Sequence, residues 1–164
     1  MATDFIVSSA DAANGTLPFK HFANIFGCTG DNLSPAIHWQ GAPADTKSFV
    51  VTMYDPDAQT GSGWWHWVLA DIPASVTSLE QGAGAASNAR VAGGLQTNTD
   101  MGMPGYGGPC PPIGETHRYI ITVKALDVPT LDLPPNASGA LVGMLSNMHS
   151  LAQASLTLMG TRSA

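Results

Sequence analysis

The chain has 164 residues, of which 44% are hydrophobic and only 11% charged, enough for one core and too few for two, so a single domain spanning residues 1–164 is expected. The net charge is −6 and the 6 lysines and arginines are scattered, which excludes the basic stripe that nucleic acid requires. No apolar run reaches transmembrane length, and Cys28 and Cys110 are too few for a disulfide scaffold or a zinc site of their own.

Met1-Ala2-Thr3-Asp4 does not read as a signal peptide, so a cytoplasmic location is expected, or a periplasmic or secreted one where a leader has been removed. With 18 Gly and 12 Pro, much of the chain must be turns and loops, which favours an all-β or loop-rich fold over a helical one. Asp4 to Ser8 alternates Phe5 and Val7 with polar neighbours and predicts a strand. Phe22 to Phe26 is short and apolar, and Gly27 to Pro35 is a glycine-punctuated loop rich in side chains that bond backbone. Ala36 to Trp39 and Lys47 to Tyr54 predict strands, the second buried on both faces. Trp65 to Ile72 predicts another, stopped by Pro73.

Glu80 to Gly94 has no period and reads as an exposed loop. Arg118 to Leu126 alternates as a strand. Pro134-Pro135-Asn136 then precedes the one principal helix, Ser138 to Gln153, where Leu141, Met144, Leu145, Met148 and Leu151 follow helical spacing and predict a Met-rich core face. His149 is expected at the surface. Ala154 to Met159 predicts a last strand.

Chemistry concentrates in two stretches. In Tyr54-Asp55-Pro56-Asp57-Ala58-Gln59 a strand runs out into Asp-Pro-Asp, and a Gly/Ser loop leads back through Trp64-Trp65-His66-Trp67. Pro56 cannot donate to a sheet and stops the strand. His66, among tryptophans, needs a polar partner. Gly105 to Tyr119 is the second stretch, in which Pro109, Pro111 and Pro112 lack N–H groups. Gly107, Gly108, Cys110 and Ile113 are then the backbone donors left to form an anion-binding concavity. His117 opens a strand as Asp55 ends one, and Arg118 is the natural charge partner of an aspartate.

Asp-Pro-Asp-Ala with Trp-His-Trp, Gly-Tyr-Gly-Gly-Pro-Cys-Pro-Pro-x-Gly-x-x-His-Arg-Tyr, and Phe26 to Pro35 together resemble three segments of the phosphatidylethanolamine-binding protein family, which includes the Raf kinase inhibitor proteins. The chain is similar to its prokaryotic branch over roughly residues 4 to 158. The resemblance implies a sandwich of two packed antiparallel sheets with a helix and loops at one end. It implies a preformed pocket for small anions, chiefly phosphate monoesters such as phosphoethanolamine, lined by Asp55, Asp57, His66, Gly108, Cys110, Pro111, His117 and Tyr119. It also implies a homodimer, and regulation of a protein partner such as a kinase or protease. It places Cys28 and Cys110 at the pocket rim, either bridged or as two reduced thiols. The chain departs from the family in carrying Gln59 where Asp-Pro-Asp-Ala-Pro has its second proline. It also lacks the Gly-Thr-Tyr pattern after its last strand and the long eukaryotic C-terminal helix.

The first functional reading is therefore a binding module without a cofactor. Asp55 orients a histidine, Asp57 pairs with Arg118, and imidazolium supplies the positive charge. The alternative is an enzyme using paired His and Asp for acid–base work on a small anion. A metal site of His66, His117 and one Asp lacks the usual spacing.

Overall fold

The computed structural model describes residues 4–163; Met1, Ala2 and Thr3, read above as lacking a leader, and Ala164 lie outside the described residues. Among the described residues the strands are β1 (Ile6–Ser8), β2 (Ile37–Gln40), β3 (Ser48–Asp55), β4 (Trp64–Pro73), β5 (Ser78–Leu79), β6 (Arg90–Val91), β7 (Gly94–Gln96), β8 (Thr116–Leu126) and β9 (Ser150–Thr161), with one α-helix, α1 (Gly139–Met148), and two single-turn 3-10 helices, Ala10–Ala12 and Phe19–His21. They form two antiparallel sheets, β1-β2-β5 and β6-β7-β4-β3-β8-β9. The expected all-β sandwich with one principal helix is what the chain adopts.

The larger sheet is buried on both faces. Its inner face, with Val51, Met53, Trp67, Leu69, Ile121 and Val123, packs on Val7, Ile37, Trp39 and Leu79 of the small sheet. Its outer face presents Val50, Val68, Ala70 and Leu126 to Val142 of α1 and to Ala137. That double burial is why β3 reads as a continuous apolar run. Ser138 caps α1 by accepting from the Leu141 N–H at 3.1 Å. Gly139 then lies so near Trp65 that a Cβ would fall 2.5 Å from its ring.

Three expectations need correction here. The helix stops at Met148 rather than Gln153, because β9 begins at Ser150 and pairs with β8 from Leu126 to Thr116. That ladder gains more backbone hydrogen bonds than another helical turn could. The Met face is also not core: Met144 is 56% and Met148 69% exposed, while Val142 and Ser146 face inward. Glu80 to Gly94, expected as plain loop, contains β6 and the start of β7 within its turns. His149 caps α1 and pairs with Asp127 at 3.0 Å.

A Cys28–Cys110 disulfide, with Cα atoms 5.9 Å apart, ties the loop before β2 to the loop before β8 across 82 positions. In the chain-entropy model a closed loop of that size stabilises by about 4 kcal/mol, less any strain. Reduction, or Cys28→Ser with Cys110→Ser, is expected to lower the denaturant midpoint by a corresponding amount. An unchanged midpoint on reduction would show that the bridge contributes nothing to stability.

Candidate functional site

Three strand ends and two loops meet at one end of the six-stranded sheet. β3 ends at Asp55, which is 3% exposed, and β8 begins beside it with His117, 4% exposed. Asp55 Oδ2 and His117 Nδ1 are 2.7 Å apart. His66 arrives differently. Met53 pairs with Trp67 and Tyr54 with Trp65, so His66 is the extra residue of a bulge in β4. Bulges re-aim side chains and break the two-residue alternation. Here the bulge buries His66 and Trp67 in succession. His66 Nδ1 donates to the Gly107 carbonyl at 2.7 Å, and the Gly107 N–H donates back to the His66 carbonyl at 2.9 Å. Loop and strand are thereby locked together.

These groups line a cavity of about 420 Å³. One side is polar: Asp55, His66, His117, Tyr119 and Asn32. The rest is largely apolar, from Ile25, Phe26, Met101, Met103, Pro111 and Pro112. Among the described residues, no lysine or arginine lines it. Cys110 lies on the wall as half of the disulfide and so offers no thiol nucleophile. The described residues assemble no cluster of metal-ligating side chains from His66 and His117 with an aspartate.

Electrostatics separate the two histidines. Burial pulls His66 down to about 4, against smaller opposing effects of the Gly107 carbonyl, Asp55 and Asp100. His66 is therefore neutral near pH 7. With Nδ1–H donated to Gly107, its Nε2 carries a lone pair, and that atom is buried with no partner in the protein. Burial also pulls His117 down, but its bonds to Glu115 and Asp55 outweigh that and hold it above its ordinary value. Glu115 Oε1 lies 2.8 Å from His117 Nε2, so both ring nitrogens face carboxylates and both donate. The Tyr119 hydroxyl is raised by burial first, then by Asp55 and Asp57, and it too is buried without a partner.

Several expectations change against this geometry. His66 supplies an acceptor, not a positive charge. Asp57 does not line the cavity. Its carboxylate takes Arg118 Nη2 at 2.8 Å, Nε at 3.1 Å and the Arg118 N–H at 2.9 Å, and those bonds lower its pKa to about 2. The Gly108 N–H is not free for an anion, since it donates to Asn32 Oδ1 at 2.7 Å. A Cβ on Gly108 would sit 2.5 Å from the His21 carbonyl oxygen and 2.6 Å from the Ala23 nitrogen, so bareness there serves backbone packing. Sequence reasoning missed Asn32 and Glu115. Asn32 holds a left-handed φ of 53° and also donates to the Tyr106 carbonyl at 3.3 Å. Its place in a glycine-punctuated loop was the available signal. Glu115 sits at an unspecified position of the motif, and nothing in its neighbours marked it.

A half-open cavity at one end of a two-sheet antiparallel sandwich, walled by Asp-Pro-Asp and Gly/Pro loops, sets the class of fold to which the chain belongs. A family model described as phosphatidylethanolamine-binding protein matches residues 7–161, and the chain belongs to that family. It is 56% identical over 143 residues to the Escherichia coli (strain K12) UPF0098 protein YbhB, covering 87% of this chain and 90% of that one. The solved structure of E. coli YbcL, presented as a new member of the mammalian PEBP family, superposes with a TM-score of 0.90 at 43% identity, covering 96% and 98% of the two chains. A putative homolog from Chlamydia trachomatis, CT736, matches at TM-score 0.80 and 26% identity over 99% of both chains.

The two histidines give opposite pH signatures. The unfolded His66 titrates near 6.5 and the folded one near 4, so the unfolded state binds more protons between those values. Stability falls as pH drops through that window, by up to about 3 kcal/mol. His117, raised in the fold, contributes stability that is complete below about 6.5 and lost as pH rises through its folded value. Ring NMR titration is expected to show His66 neutral at pH 6 and His117 titrating above the ordinary histidine value. A His66 that titrates near 6.5 would contradict the site's electrostatics.

Proposed function

We propose that the cavity binds a small phosphate monoester of the phosphoethanolamine type in its monoanionic form, and that the protein is a binding module rather than a catalyst. The observation that carries this reading is the pair of buried, unpartnered polar atoms on two cavity-lining residues, His66 Nε2 and the Tyr119 hydroxyl. Such atoms cost free energy until a ligand satisfies them. A monoanionic phosphate matches both, because its P–O–H donates to His66 Nε2 while a phosphoryl oxygen accepts from Tyr119. A dianion has no proton for His66. The ester's carbon chain then lies along the apolar wall.

The same reading takes the Cys28–Cys110 bridge as support for a place outside the cytoplasm, since disulfides persist in oxidising compartments. It keeps the homodimer. β9 ends the six-stranded sheet, its residues Ser150 to Thr161 carry no charge, and apart from Met159, whose backbone bonds Gly15 and Leu17, its uncharged edge suits pairing with a second copy.

Calorimetric titration with phosphoethanolamine tests the pocket. Affinity is expected to rise as pH falls from about 7.5 to about 5.5, following the ester's second ionisation near about 6. Tyr119→Phe keeps the ring packing and removes one hydrogen bond, so it should weaken binding by about 1 kcal/mol, roughly fivefold. His66→Ala should cost at least as much. Unchanged affinity in both variants, or no binding at any of these pH values, would refute the reading.

A further inference from the structure

Gln59, which stands where the family has proline, lines the cavity and bonds Glu115, which lies outside the lining and meets the cavity only through His117. Gln59 Nε2 lies 3.4 and 3.3 Å from the Glu115 oxygens, and Glu115 Oε1 lies 2.8 Å from His117 Nε2. With Asp55 on Nδ1, the chain Gln59–Glu115–His117–Asp55 commits every donor of the imidazole. Two carboxylates flank one imidazolium, so one negative charge stays uncompensated. The neighbouring charges do not offset it. Asp57 is spent on Arg118, His66 is neutral, and Arg162, which bonds the Gly27 and Pro111 carbonyls, meets the Glu115 carbonyl oxygen through its backbone N–H rather than the Glu115 carboxylate through its side chain.

A plain phosphate monoester that takes the Nε2–H of His117 must push Glu115 aside and leave that carboxylate beside a like charge. A monoester bearing an ammonium group avoids this: its phosphate takes the His117 donor, and its cation takes the displaced carboxylate. Rotation is cheap because the Glu115 side chain is 37% exposed and its other partner is a single amide.

We propose that Glu115, steadied by Gln59, is the specificity-determining residue of the pocket: it occupies His117 Nε2 and yields to a phosphate monoester that carries its own cation, in preference to one that does not. This rests on the phosphate-monoester reading above. The residue favours zwitterionic ligands by penalising the others, which is how selectivity is often built.

The test compares phosphoethanolamine with ethyl phosphate, the same ester without the ammonium group, on the wild type, Glu115→Gln and Glu115→Ala. The wild type should prefer phosphoethanolamine by about tenfold, the scale of one charge-assisted hydrogen bond. In both variants ethyl phosphate should bind more tightly and the preference should shrink to about twofold or less. Glu115→Gln keeps the side-chain shape and an acceptor for His117, so it separates charge from folding. An equal preference in wild type and variants, or none in the wild type, overturns the role of Glu115 while leaving the pocket's function standing. Failure of both esters to bind any of the three proteins overturns the phosphate-monoester reading and this proposal with it.

Discussion

Asp55 and His117 sit at 3% and 4% exposure, on different strands, with 2.7 Å between their bonded atoms. Burying either as a lone charge would cost on the order of 3–5 kcal/mol. Their bond therefore fixes where β3 must end and where β8 must begin. It holds the His117 ring in one orientation and leaves Nε2 facing outward to Glu115. Two residues further along β8, Tyr119 is held against both His66 and His117, at ring distances of 5.5 and 6.4 Å. The polar side of the cavity follows from that one pairing and from the bulge that turns His66 inward.

The remaining wall is made rigid by bonds that leave few loose backbone groups. Gly107 and His66 exchange hydrogen bonds, Asn32 grips Gly108 and Tyr106, and the Tyr106 hydroxyl donates to the His21 carbonyl at 2.7 Å. Ala23 N–H reaches the Pro109 carbonyl at 2.8 Å, and the disulfide lies alongside. A Gly/Pro loop clamped at so many points offers a preformed cavity, which lowers the ordering cost of binding. The cost is that the N–H groups of Gly107 and Gly108 are already used, so recognition there passes to side chains.

The fold was largely legible because its signals are local. Alternation marked β8, a continuous apolar run marked the doubly buried β3, and Pro73 marked the end of β4. The helix was overextended because Leu151 keeps both helical and strand periodicity, and only pairing with β8 decides between them. The Met144 and Met148 face was misread because hydropathy does not say which side of a helix meets the sheet. At the site, motif spacing found residues but not their roles. The charge of His66 depends on how completely a bulge buries it, and the freedom of Gly108 depends on an asparagine far away in sequence. Nothing local marks Glu115; only its contact with His117 in the folded chain does.

The resulting pocket is apolar over much of its wall, has no lysine or arginine among the described residues, and carries an acceptor, a hydroxyl and one carboxylate-bound imidazolium. That balance fits a ligand that brings a proton and a cation of its own. A crystal structure with phosphoethanolamine bound tests it most directly. The account predicts phosphate density within hydrogen-bonding distance of His66 Nε2 and the Tyr119 hydroxyl, with the Glu115 carboxylate turned from His117 toward the ammonium. Ligand density elsewhere on the protein, or in the cavity with no contact to His66 or Tyr119, would contradict it.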